Sequence, residues 1–147
     1  MTTAALYERD IYAWAMHNAQ LLRERCADEL DFDHLAEEIE DVGAREKREL
    51  QSRLEVLIAH LLKLAYLNVL RAQNERGWKV TVREQRRRIA DCLSNSPSLH
   101  VHLSGCALRA YSYAVDSIIR QVGVYESLLP VQCPYTLEQV LDDTFYP

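Results

Sequence analysis

The sequence predicts an all-α, single-domain helical bundle, with one long central helix over about residues 33–70, two further long helices and a short C-terminal helix. Apolar residues recur at helical spacing through most of the chain, and no stretch alternates as a strand would. The four glycines and four prolines leave few places for breaks. With 147 residues, 48% of them hydrophobic and 27% charged, residues 1–147 suit one globular domain.

A first helix is expected over residues 3–22, because apolar and small polar side chains there keep the spacing of one packed face. The residues on that face are Tyr7, Ile11, Trp14, Asn18 and Leu21. Trp14 is the largest of them and is the expected anchor. A short acidic connection then leads into the central helix, where Asp31 or Asp33 can cap the first turn.

The central helix is the expected apolar spine of the fold. One face, within an arc of roughly 100°, carries eight apolar residues. They are Leu35, Ile39, Val42, Leu50, Leu54, Leu57, Leu61 and Leu64. From Val56 onward the helix is apolar nearly all round, so its second half should be enclosed by other helices. Gly43 lies in the middle of the helix, where a bend or a close helix contact would explain a glycine.

Two further long helices are expected after the spine. The polar segment RAQNERG, residues 71–77, should reverse the chain, so that the next helix begins near Trp78 and ends in SNSPS. Ser96 and Pro97 then have the N-cap and first-turn residue types that start a helix running to Val122. This last helix has two apolar faces, which predicts either a central position or a partner chain. Its faces run through Leu99, Leu103, Cys106 and Ala110, and through Leu108, Tyr111, Val115 and Ile118.

The C-terminal tail should contain a short helix that ends at Leu141. Thr136 and Gln139 have the spacing of a capping box for its first turn. Phe145 and Tyr146 follow it, and both are expected to fold back on the bundle as a clasp.

The sequence also indicates the cellular compartment of the protein. The N-terminus lacks the basic and apolar regions of a signal peptide, and charged or polar residues such as Glu55 and Lys63 interrupt the most apolar stretch. The four cysteines lie far apart without a CxxC pair, which is typical of reduced cysteines and gives no zinc site. We therefore expect a cytoplasmic protein without a membrane span.

Several motifs occur together and in order along nearly the whole chain. They are LYERDIYAWA, LAEEIEDVG, REKRELQSRLEVLIAHLLKL, WKVTVREQRRRI, SPSL and the closing CPYTLEQVLDDTFYP. In this combination the sequence resembles the bacterial DUF29 family. The resemblance implies a compact all-α fold and no established biochemical activity.

Charge is segregated along the chain, although the net charge is only −5 and the sequence pI is near 5.5. Acids dominate the first fifty residues, and bases dominate the next fifty. In the basic run, Arg83, Arg87 and Arg88 are candidate contacts for an anion or for nucleic acid. The acidic pI opposes general nucleic-acid affinity, so packing of this run against the acidic spine is the favoured interpretation.

One carboxylate cluster has the spacing of a possible metal site. His34, Glu37, Glu38 and Asp41 lie at i, i+3, i+4 and i+7, which places all four on one helical face. The spacing permits a divalent cation but does not require one, and solvated charge at a helix N-terminus is the favoured interpretation. No metal and no cofactor is therefore expected, and these four residues are weak candidates.

Glu46 is expected to form a structural ion pair. It lies in the core arc between Val42 and Leu50, where an unpaired buried carboxylate would cost several kcal/mol. Arg86 flanks the apolar stripe of the next helix and is the expected partner, with Arg53 bracing the same carboxylate from the spine.

Two functions of different class remain open. The first is a protein-interaction or adaptor module that self-associates, since the last long helix has two apolar faces and no catalytic motif is present. The second is a metal-dependent hydrolase or nucleic-acid-acting protein that uses the acidic spine or the basic segment 71–88. The first is favoured, so a homo-oligomer such as a dimer, or another protein partner, is expected and an enzymatic role is not. Neither nucleic acid nor a membrane is an expected partner.

Overall fold

The computed structural model describes residues 2–147, which form six α-helices and three short 3₁₀ helices and contain no strand. The α-helices are α1 (Thr3–Arg9), α2 (Ile11–Glu24), α3 (Phe32–Tyr66), α4 (Asn68–Asn95), α5 (Leu103–Val122) and α6 (Leu137–Leu141). The 3₁₀ helices are Ala27–Glu29, Pro97–His102 and Glu126–Leu128. The all-α prediction with one long central helix is confirmed. Within the described residues, no helix is long and apolar enough to span a membrane.

The chain divides into two compact units, residues 2–45 and residues 46–147, and the boundary falls inside α3. The expectation of a single domain stays a prediction. In the first unit, the expected helix over residues 3–22 is interrupted at Asp10, whose side chain caps α2 by accepting a 2.9 Å hydrogen bond from the Ala13 amide. Trp14, Asn18 and Leu21 are buried, as the spacing predicted, whereas Ile11 of the same predicted face is 52% exposed.

The hydrophobic core of the second unit combines the second half of α3 with α4, α5 and the tail. Fully buried side chains from α3 include Leu50, Leu54, Leu57, Leu61 and Leu64. Val82 and Ile89 of α4, Cys106 and Ile118 of α5, and Val140 of α6 complete it. This half of the spine is enclosed as predicted.

The first half of α3 differs from the prediction. Ile39 is 70% exposed and Val42 is 57% exposed, although both lie on the arc that was expected to be core. Leu35 is half-buried. Helical periodicity identifies the apolar face of a helix but not whether a neighbouring element covers it, so the prediction that the whole arc is core was wrong here.

The reversal after α3 also differs from the prediction. Leu67 alone separates α3 from α4, and residues 71–77 are helical instead of forming a loop. Glu75 pairs with Arg71 and with Lys79 at i,i+4 spacing, which stabilises this polar stretch as a helix. Arg71 also donates a 2.8 Å hydrogen bond to the Leu64 carbonyl, so it satisfies one of the free carbonyls at the end of α3.

The segment after α4 begins with a 3₁₀ helix instead of the expected first turn of an α-helix. Ser96 makes no side-chain cap there, and α5 starts only at Leu103. The tail follows the prediction more closely, because Thr136 and Gln139 form both hydrogen bonds of a capping box before α6. Phe145 and Tyr146 pack against the core, which confirms the expected clasp.

Gly77→Ala should stabilise the protein, because Gly77 lies inside α4 and an added Cβ would meet nothing within 4 Å. We expect a gain of about 1 kcal/mol in the free energy of unfolding, measured by urea denaturation. Gly123→Ala is the matched control, since Gly123 ends α5 with a φ of 77° that an L side chain rarely adopts. This variant should lose stability. A destabilising Gly77→Ala would contradict the helical assignment of residues 71–77.

Candidate functional site

The densest polar network in the first unit surrounds Asp31 at the start of α3. One carboxylate oxygen of Asp31 accepts hydrogen bonds from the Trp14 indole at 2.9 Å and lies 2.7 Å from Nδ1 of His34. Asn18 accepts a 3.0 Å hydrogen bond from the Asp31 amide and donates one to the Trp14 carbonyl. Three buried residues, Trp14, Asn18 and Asp31, are thus hydrogen-bonded to one another where the chain enters α3.

Tyr7 of α1 covers the open side of this network. Its ring stacks on the His34 imidazole with centroids 3.8 Å apart and meets the Trp14 ring edge-on at 4.9 Å. The Tyr7 hydroxyl donates a 2.7 Å hydrogen bond to the Glu38 carboxylate, one turn beyond His34. Helices α1, α2 and α3 therefore contribute to one aromatic and polar cluster.

The contacts of this cluster shift three pKa values. The hydrogen bond to Asp31 raises the pKa of His34 above its ordinary value of 6.5, and this outweighs the opposing effect of burial. Burial alone would raise the pKa of Asp31, but the hydrogen bonds from His34 and Trp14 outweigh it and lower the pKa. The hydrogen bond to Glu38 raises the pKa of Tyr7 to about 12.

An Asp–His pair can orient an imidazole for general acid–base catalysis. Activation of a nucleophile by this imidazole also requires a hydroxyl or thiol group within hydrogen-bond distance. No hydroxyl or thiol group of residues 2–147 hydrogen-bonds to His34, so the pair has no adjacent nucleophile in the part of the chain described. Asp31 also accepts a long bond of 3.4 Å from the His34 amide, as a helix N-cap does. The arrangement is that of a side-chain network that fixes the start of α3 against α1 and α2.

The metal candidates on α3 are partly engaged in this cluster. His34 contacts Asp31 through Nδ1, and Glu38 accepts the hydrogen bond from Tyr7. Glu37 and Asp41 are exposed. Across residues 2–147, no group of three His, Cys, Asp or Glu side chains has an arrangement that could hold a metal ion. Whether the protein binds a metal stays a prediction.

The expected ion pair of Glu46 with Arg86 was wrong. Glu46 is exposed, and Arg53 pairs instead with Glu49 at 2.8 Å on its own helix. The prediction that Glu46 is buried assumed that the core arc continues through the first half of α3. The apolar residues Ile39 and Val42 of that half are exposed. The carboxylate therefore keeps its hydration and needs no buried cation.

Arg86 is 4% exposed, and its partners are backbone carbonyls of the C-terminal tail. Its guanidinium donates to the carbonyls of Val140 at 2.9 Å, Phe145 at 2.8 Å and Gln139 at 3.3 Å. It also lies 5.2 Å from the ring centroid of Tyr146. Burial lowers the pKa of Arg86, and the opposing effect of nearby Tyr146 and Asp143 offsets this only in part. This arginine fastens the tail to α4.

Two of the three candidate anion contacts on α4, Arg87 and Arg88, form ion pairs within their own helix. Glu84 pairs with Arg87 at 2.9 Å and with Arg88 at 2.8 Å, and these bonds lower the pKa of Glu84 to about 2. Arg87 also pairs with Asp91 at 2.9 Å. Arg83 is exposed and makes no ion pair with residues 2–147. Local i,i+3 and i,i+4 pairs thus replace the expected packing against the acidic spine.

The second apolar face of α5 is covered in part within the second unit. Tyr111 and Ile118 are buried, and the Tyr111 hydroxyl donates a hydrogen bond to the Pro130 carbonyl. A groove of about 890 Å³ remains between α5 and the segment that precedes α6. It is lined mainly by Tyr111, Val115, Ile119, Leu129, Pro130 and Val131. Leu108, at 74%, is the most exposed residue of the predicted face.

The comparisons with known proteins identify a family and nothing narrower. The family described as "Domain of unknown function DUF29" matches residues 6–146. The chain therefore belongs to this family, as its motifs indicated. No curated protein and no solved structure matches the chain.

We predict that the stability of the first unit falls as the pH rises through the raised pKa of His34. The protonated imidazole is favoured by Asp31 only in the folded state, so its contribution is fully present below about pH 6.5 and is lost above the folded-state pKa. Thermal melting of wild type and of His34→Gln, compared from pH 5.5 to 8.5, measures this contribution. The difference between the two should shrink as the pH rises. A difference that does not depend on pH would contradict the charged pair.

We further predict that Arg86→Met destabilises the protein by about 3–5 kcal/mol in urea denaturation, since it leaves several carbonyls of the tail without donors. Arg86→Lys should recover only part of this, because an ammonium group cannot reach three carbonyls as the guanidinium fork does. The control is Arg83→Met, an exposed arginine one turn away, which should change stability by less than about 0.5 kcal/mol. Equal losses of stability in Arg86→Met and Arg83→Met would contradict the inference that Arg86 holds the tail against α4.

Proposed function

We propose that this DUF29 protein is a helical protein-interaction module that self-associates through the first half of α3. The observation that carries the proposal is an exposed apolar stripe on that half, formed by Phe32, Leu35, Ile39 and Val42 and called here the α3 stripe. Phe32 is 63% exposed, Ile39 70% and Val42 57%, and Leu35 is half-buried. Contiguous exposed apolar side chains of this size usually mark a partner surface.

The spacing of the α3 stripe supports a helical partner. Successive members are three, four and three residues apart, which is the a/d spacing of a coiled-coil seam. The stripe spans about 15 Å at a rise of 1.5 Å per residue, so it offers about three turns of helix to a partner.

The size of the stripe also sets the expected strength of association. Burying a large aliphatic or aromatic side chain contributes about 1.5–3 kcal/mol, and four per copy are available. Association itself costs an estimated 4–15 kcal/mol in lost translational and rotational freedom. A stripe only about three turns long suits a weak complex, and we expect a Kd roughly in the micromolar range.

The surface that favours self-association is thus different from the one that the sequence indicated. Tyr111 and Ile118 of α5 are buried in the second unit, so only part of that face is open to a partner. The α3 stripe has no such cover. The proposal includes the cytoplasmic setting expected from the cysteine pattern.

The geometry gives less support to a metal-dependent hydrolase or to a nucleic-acid-acting protein. Glu38 and His34 already have partners within the first unit, and Arg87 and Arg88 share Glu84. A catalytic or phosphate-binding role would have to displace these contacts, whereas a partner helix at the α3 stripe displaces none of them.

The test is the oligomeric state of the purified protein by sedimentation equilibrium between about 10 and 200 μM. Wild type should show a concentration-dependent dimer. Ile39→Ser with Val42→Ser should be monomeric and keep its helical circular dichroism, since both side chains are exposed. Val101→Ser changes a valine outside the stripe that is more exposed still, at 82%, and should leave association unchanged. A wild-type protein that is strictly monomeric at about 200 μM would contradict the proposal.

A further inference from the structure

We propose that the exposed face of α4 binds an acidic amphipathic helix of a partner protein, through Arg76, Arg83 and the valines on the same face. Three features of α4 carry this inference, which are one continuous row of exposed side chains, the concentration of positive charge in the helix and two arginines without an acidic partner. It does not depend on the proposed function, because none of these residues belongs to the α3 stripe.

One row of side chains on α4 is exposed over most of the length of the helix. Its members are three or four residues apart, so they fall within an arc of about 80°. They are Val69, Ala72, Arg76, Val80, Arg83 and Arg87, called here the α4 row, and every one of them is exposed. Val69 is 90% exposed and Val80 is 56% exposed. The row is therefore a mixed apolar and basic helix face that is open to a partner.

Positive charge is concentrated in this helix. Of the 17 basic residues of the chain α4 holds seven, and of the 22 acidic residues it holds three. The rest of the chain contains nineteen acids and ten bases. The net charge of −5 thus includes one helix of opposite sign. A face of this kind is complementary to a negatively charged partner and not to a second basic one.

Arg76 and Arg83 are the arginines of the α4 row that remain available to such a partner. Arg87 pairs with Glu84 and with Asp91 on its own helix. By contrast, the side chains of Arg76 and Arg83 form no ion pair and no hydrogen bond within residues 2–147. Each guanidinium presents a planar fork of donors that matches the two oxygens of a carboxylate.

The valines favour a protein over a nucleic acid as the partner. Val80 lies between Arg76 and Arg83 on the row, where a phosphate backbone would offer it little apolar surface. An amphipathic helix supplies carboxylates and apolar side chains on one face and so satisfies both kinds of residue. The sequence pI near 5.5 also opposes binding of a long polyanion.

The spacing of the two arginines defines the partner more closely. Arg76 and Arg83 are seven residues apart, which is about 10.5 Å along the helix axis. Two acidic residues seven apart on a partner helix have the same separation, and an apolar residue three or four positions after the first lies between them. We therefore expect the partner helix to carry acid, apolar residue and acid at this spacing.

The test uses a fluorescein-labelled, alanine-based helical peptide of about 20 residues that carries Glu, Leu and Glu at this spacing. Fluorescence anisotropy at about 0.1 M salt measures its binding to the wild-type protein, and we expect a Kd of about 1 mM or tighter. The matched control peptide has Gln in place of both Glu residues and should bind at least roughly tenfold more weakly. A duplex DNA of about 20 base pairs is measured in parallel.

Two variants separate the basic and the apolar parts of the α4 row. Arg76→Glu with Arg83→Glu should weaken binding of the acidic peptide at least roughly tenfold, because both carboxylate contacts become repulsive. Val80→Ala should weaken it roughly threefold, since it removes apolar contact area but no charge. The changed side chains are exposed, so both variants should keep the helical circular dichroism of the wild type.

A matched control tests whether charge reversal elsewhere has the same effect. Arg45→Glu with Arg48→Glu makes the same charge change on two exposed arginines of α3. Binding of the acidic peptide should stay within about twofold of wild type, because the wider change in net charge is largely screened by salt. A loss as large as that of the Arg76, Arg83 variant would contradict a specific role of the α4 row.

The remaining outcomes decide the class of partner. No binding of the acidic peptide at about 1 mM, or equal binding of the Gln peptide, would overturn the inference. Tighter binding of the duplex DNA, lost in the Arg76, Arg83 variant and unchanged in Val80→Ala, would assign the row to nucleic acid instead. The Ile39→Ser, Val42→Ser variant should bind the acidic peptide as wild type does, so a failure of self-association and a failure of this inference are distinguishable.

Discussion

The hydrogen bonds of one buried guanidinium hold the C-terminal tail of the second unit in place. Arg86 binds three carbonyls around α6 and the last turn of the chain, and so holds the tail against α4. The same tail supplies Leu129 and Pro130, which lie over Tyr111 on the second apolar face of α5. This face of α5 is therefore covered in part within the chain, whereas three of the four residues of the α3 stripe are exposed.

The partner of Arg86 shows a limit of reasoning from residue types. A buried arginine suggests a carboxylate, and Glu46 was the acid nearest the expected core. Backbone carbonyls at the end of a short helix are equally good acceptors, yet every residue has one and none is visible as a motif. The arginine could be predicted to be structural from the sequence, whereas its partners could not, because they depend on where the tail crosses α4.

Some boundaries of the helical elements could likewise be predicted from the sequence, whereas others could not. The capping box at Thr136 and the enclosed second half of α3 were predictable, since each depends on local spacing alone. The break at Leu67 was not, because no glycine or proline marks it. Arg71 and Glu75 stabilise the polar stretch that resembled a loop, and the Leu67 side chain is buried instead of exposed. At this boundary the burial of Leu67 in the tertiary structure outweighs the loop-like composition of residues 71–77.

The candidate site was predictable in part. His34 and Glu38 were identified as a cluster on one face of α3, but Asp31 was considered only as a cap. Its i,i+3 spacing to His34 at a helix start was the available signal for the pair. Contributions from Trp14 and Tyr7 require the packing of three helices, which no spacing along one helix reveals.

The two faces of α3 near its start explain why we favour a surface over a chemical centre. One face carries Asp31, His34 and Glu38, whose polar groups bond to α1 and α2 and so have a structural function within the first unit. The α3 stripe, with Ile39 and Val42, lies on another face, where the described chain supplies no cover. Water can solvate unused carboxylates at little cost, but it cannot solvate a row of large apolar side chains as favourably. The exposed apolar residues of the α3 stripe therefore support the proposal of a partner surface on this half of α3.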